Sequence, residues 1–148
     1  MRKSSRYTAV AWAIIWLVGA HAVVGLLHGI SHVELGVVPS AADIAFIMVV
    51  IGIVPIGMLP FVLRGSRVGV GLFALAFAAS WLYGMVNHFV IEGADHVPGL
   101  EHGAWQAMFT VTGAMILGLE VAGTLLAVWL FWQASASGPR GAPRSKSA

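Results

Sequence analysis

Four apolar stretches, at about 8–31, 42–63, 68–91 and 105–132, leave this chain few folds to choose from. A helix needs roughly 20 residues to cross a hydrocarbon core, and each stretch is long enough. The tetrapeptide Arg64-Gly-Ser-Arg67 between the second and third admits only a tight turn between antiparallel helices. The expected fold class is therefore all-α integral membrane, an antiparallel four-transmembrane-helix bundle occupying residues 1–133. The segment 134–148 is small, polar and proline-containing, and reads as a disordered basic cytoplasmic tail.

Composition supports the membrane class. Of the 148 residues, 59% are hydrophobic and 9% charged, against about 25% charged in soluble domains. The net charge of +2 does not indicate nucleic acid, because the basic residues sit in three short clusters flanking the apolar spans. There is no cysteine, which removes disulfides, thiolate metal sites, iron–sulfur clusters and covalent haem attachment. Any metal must be held by imidazole, carboxylate, thioether or backbone oxygen, a set that suits zinc, copper, iron or manganese.

All eight Lys and Arg residues fall on one side: three before the first span, two in the 64–67 turn, three in the tail. The positive-inside rule then puts both termini and the middle turn in the cytoplasm of a multi-pass protein of the cell membrane. A cleaved signal peptide competes for the first span, since Arg2, Lys3 and Arg6 precede it and Ala20-His-Ala22 resembles a cleavage site. The apolar run continues to Leu27, too long for a signal core, so an uncleaved helix is expected.

The polar residues gather at the opposite face. Glu34, Asp43, Glu92, Asp95 and Glu101 lie in or near the two outer loops, as do His28, His32, His88, His96 and His102. Topology explains the acids, because loops without Lys or Arg hold whatever charge remains. It does not explain five histidines. At ~100° per residue His21, Gly25, His28 and His32 form one narrow stripe on the first helix. Trp81, Gly84, His88, Glu92 and Asp95 form another if the third helix persists past Ile91, with Trp81 placed to close the floor of a pocket. On the fourth, His102, Gln106, Phe109, Gly113 and Glu120 share a face. Lipid offers such groups no partner, so the three stripes should converge inside the bundle.

His28-Gly-Ile-Ser-His32 sets two imidazoles one turn apart, the spacing used by zinc-binding H-E-x-x-H helices, though without their glutamate. With His88, Glu92 and His102 it supplies a ligand set for a divalent transition metal, zinc, copper or iron, and Asp95 and His96 stand nearby as secondary groups. The expected function is a membrane metalloprotein, redox-active where the metal is copper or iron, with its site at the outer ends of helices 1, 3 and 4. Haem b is the alternative, with His28 and His88 as axial ligands at matched depth and Gly25 and Gly84 leaving room for the ring. In helix count and ligand depth that version is similar to small four-helix membrane cytochromes. A metal-free proton or ion path is the third reading, built on His21 and Glu120 as a buried pair or proton relay near the midplane. The histidine boxes of membrane hydroxylases are a poor match, since there is no His-His pair, and the methionines are scattered as packing residues. The partners expected are the lipid bilayer, a redox partner in or outside the membrane, and a second copy in a homo-oligomer.

Overall fold

The computed structural model describes residues 5–100 and 102–136, the last three by backbone alone. Arg2, Lys3, Glu101 and the basic tail from 137 onward lie outside the described residues. Those described contain helices and no strand. Four helices are long and apolar enough to cross a membrane: α1, Ser5–Glu34; α2, Ala41–Arg64; α3, Arg67–Val90; and α4, Ala104–Ala136. They extend the expected spans by a few residues at most ends.

Local chemistry ends and restarts each helix. The two glycines with positive φ, Gly36 and Gly65, stand just after α1 and α2, where a left-handed residue closes the last turn. After α2, the Gly65 N–H donates to the Val62 carbonyl and the Ser66 N–H to that of Phe61. The Ser66 side chain then accepts from the Gly69 N–H at 3.3 Å, so one helix stops and the next starts within four residues. Ser40 and Asp43 form a reciprocal capping box at the start of α2.

Two helices contain π turns. In α2 the turn spans Ile47–Ile53 and ends two residues before Pro55, which has no N–H to continue the ladder. In α3 it spans Val86–Val90, and the helix ends there because Ile91 is extended. The third stripe therefore stops short of Glu92.

α1 and α3 each pack along α4, while α2 packs mainly through its 54–64 segment. The apolar core lies toward that end: Tyr7, Ile14, Val62, Val70, Phe73, Phe77 and Leu130 are buried together. The Tyr7 hydroxyl donates to the Val62 carbonyl at 2.8 Å. The first 13 residues of α2 contribute no buried residue. Behind them a cavity of about 600 Å³ opens toward the histidines.

Candidate metal centre

His28, His32 and His88 come together, each with a ring nitrogen within 4.8 Å of the other two. Among the described residues no other such group of three is found. His28 and His32 stand on successive turns of α1, as their spacing requires. His88 reaches them from the π turn of α3. The Phe109 side chain of α4 packs against all three rings, with centroids 4.5, 4.7 and 5.0 Å from those of His28, His32 and His88. Gly113 lets α4 approach: a Cβ there would lie 3.3 Å from His28 Cε1.

The outer partners assign the tautomers. Thr112 Oγ1 donates its only proton to a backbone carbonyl, with Met108 O 2.6 Å away, so it must accept from His28 Nδ1 at 3.0 Å. His88 Nδ1 faces two acceptors, the Asp95 carbonyl at 3.2 Å and the Asp95 carboxylate at 3.3 Å. Both Nδ1 atoms are therefore N–H donors. Their Nε2 atoms face each other at 3.3 Å, each with a lone pair when both rings are neutral. His32 adds a third nitrogen: its Nδ1 is buried and has no hydrogen-bond partner. With neutral rings, the lone pairs of His28 and His88 face each other, and a proton on one ring or a cation between them relieves the repulsion.

Deeper along α1, His21 Nε2 meets Glu120 Oε1 at 3.1 Å, and the Ser80 hydroxyl donates to the same oxygen. Glu120 is 1% exposed, and its Oε2 has no partner. The cavity runs from the three histidines to this pair. At its rim the Tyr83 hydroxyl donates to Asp43 at 2.7 Å.

The other expected site residues stand apart. Glu92 is exposed, beyond the end of α3. His102 is exposed and lines a separate depression with Glu34 and Gln106. His96 is half-buried in the loop, where its backbone N–H donates to Gly93. Asp95 touches the cluster, as a hydrogen-bond partner of His88. Trp81 is exposed and does not line the cavity, a correction with a clear cause. In unbroken α-helix Trp81 lies about 20° from the direction of His88 and Ser80 about 80°. The π turn widens the helix and carries His88 back toward Ser80, which takes the inward position instead.

Sequence reasoning passed over Thr112 and Ser80. Thr112 had a signal, being a hydroxyl residue beside Gly113 on the inward face of α4. Ser80 had none, because nothing in the residues around His88 announces a π turn.

No family model matches the chain, and no curated protein or solved structure shows significant similarity to it.

Proposed function

We propose that this chain is a multi-pass membrane metalloprotein, an antiparallel four-helix bundle with cytoplasmic termini, binding one divalent transition metal through His28, His32 and His88. The observation that carries this reading is the 3.3 Å approach of two Nε2 atoms whose rings are each hydrogen-bonded through Nδ1 on the far side. Two imidazoles on one tetrahedral zinc, at 2.0–2.1 Å each, have nitrogens about 3.3 Å apart. Thr112 and Asp95 supply the outer hydrogen bonds that hold metal-binding imidazoles in one tautomer. Three histidines leave a fourth position, and the adjoining cavity lets a small ligand reach it. Zinc, copper and iron all suit imidazole, and copper or iron would make the site redox-active with a partner in or outside the membrane.

Haem fits these residues less well. Axial imidazoles stand on opposite sides of the porphyrin, roughly 4 Å apart at two metal–nitrogen bond lengths. Here the rings of His28 and His88 touch directly, inclined at 71°, with His32 beside them. A metal-free proton path is the second reading, and the buried His21–Glu120 pair favours it.

Elemental analysis and an absorption spectrum of detergent-purified protein separate the three. The proposal expects about one zinc, copper or iron per chain and no Soret band. A Soret band with one haem per chain would overturn it in favour of haem. Failure to retain any of the three metals after loading would leave only the proton path.

A further inference from the structure

The cavity beside the histidines opens among the outer loops, where Ser40, Asp43, Asn87 and Asp95 line it. From the level of His32 to that of His21 it follows α1 for roughly 16 Å at 1.5 Å per residue. Its volume of about 600 Å³ falls in the range, roughly 300–1,000 Å³, of sites for small organic molecules. Below the mouth, Ile47, Ile51, Ile116 and Leu117 form a largely apolar wall.

The mouth has the opposite character, and its chemistry is one-sided. The Tyr83 hydroxyl donates to Asp43 Oδ1 at 2.7 Å, and the Ser40 hydroxyl to Asp43 Oδ2 at 2.6 Å. His88 Nδ1 is turned to Asp95, and the Asn87 amide donates to the Tyr83 carbonyl at 2.9 Å. The donors at the mouth are thus engaged with the protein itself, and an occupant meets acceptor oxygen and negative charge. His88 contacts Asp95 Oδ2, which leaves Oδ1 open on a side chain that is 27% exposed. Asp43 is half-buried. Among the described residues no Lys or Arg lines the cavity, and Arg6, Arg64 and Arg67 stand at the opposite helix ends. An apolar interior behind an anionic mouth with its donors engaged suits an amphiphile whose head is a hydrogen-bonding cation. A carboxylate or phosphate head would meet like charge there.

We infer that this cavity binds an apolar primary amine in its ammonium form, the head held at the mouth by the carboxylates of Asp43 and Asp95 and the hydrocarbon body along the Ile47, Ile51 and Leu117 wall. The site adjoins the histidine group but needs no metal in it.

The experiment uses full-length protein in lipid nanodiscs, with empty nanodiscs as the blank. The radiolabelled probes are octylammonium, octanol and octanoate, which share one hydrocarbon body and differ in head charge. Metal content is measured on the same samples, before and after chelation. Octylammonium should bind saturably at one site, about tenfold more tightly than octanol, and octanoate should not bind. Asp43→Asn and Asp95→Asn should each reduce that preference severalfold and together abolish it, with octanol binding unchanged. Gly25→Leu grows into space where no atom lies within 4 Å of the added Cβ, so it should remove both octylammonium and octanol and leave metal content as it was. Equal affinity for octylammonium and octanol in the unaltered protein would overturn the inference, as would no saturable binding. So would a preference that survives both Asp→Asn changes. Octylammonium that still binds the Gly25→Leu variant would sit on the surface, and octylammonium lost on chelation would sit on the metal; either result also overturns it. Protein that holds no zinc, copper or iron yet prefers octylammonium would sink the metal reading alone.

Discussion

The end of the molecule around Phe77 and the end around His28 are built from the same helices, yet they use their smallest residues in opposite ways. At the first, glycine is a contact surface. A Cβ on Gly123 would lie 2.5 Å from Phe77 and 3.1 Å from Leu17, so α4 can approach α1 and α3 only because no side chain intervenes. At the second, Gly113 is again a contact, but the glycines of α1 are an opening. Gly25 and Gly29 line the cavity, and an added Cβ on either meets nothing within 4 Å. One end is closed by apolar packing, with Ile14, Val62, Val70, Phe73 and Leu130 all wholly buried. The other is hollow and holds the polar groups. The closed end fixes the helix positions, and so allows three imidazoles to be held close together beside a cavity.

Changing the hollow end should alter chemistry before stability. His88→Ala removes the nitrogen facing His28, and retained metal should fall from about one equivalent to under a tenth by elemental analysis, with helical circular dichroism unchanged. Metal retained in full would mean that the histidines are only packed. Thr112→Val keeps the volume but deletes the acceptor for His28 Nδ1, and competition titration with a chelator should show affinity ten- to a hundredfold weaker. The closed end should respond in the reverse order. Gly123→Ala overpacks it at a cost of about 1–3 kcal/mol, seen as a lower melting temperature with metal content intact. Gly25→Ala, in open space, should be neutral or stabilising by up to ~1 kcal/mol, since alanine is the better helix former. If the two glycine variants melt alike, the contrast between the ends is wrong. The smallest effect belongs to Asp95→Asn. His88 Nδ1 keeps the Asp95 carbonyl at 3.2 Å, so metal affinity should drop only a few-fold.

Helix count, helix length and the inward direction of His21, His28 and Glu120 were legible because they follow from periodicity and from the cost of placing polar groups in hydrocarbon. The α1 stripe emerged as read, since nothing interrupts that helix between Ser5 and Glu34. The α3 stripe did not. A π turn of five residues rotated His88, admitted Ser80 in place of Trp81, and ended the helix before Glu92.

Residue pattern alone thus decides that four apolar helices form and where their polar faces lie, because hydrophobic periodicity and length are properties of single segments. Which histidines come together, and that Thr112 and Asp95 are their outer hydrogen-bond partners, depend on contacts between segments far apart in the chain. His28 and His88 are 60 positions apart and His28 and Thr112 84. No local pattern specifies distances across such separations; they arise when apolar packing at the other end brings the helices together.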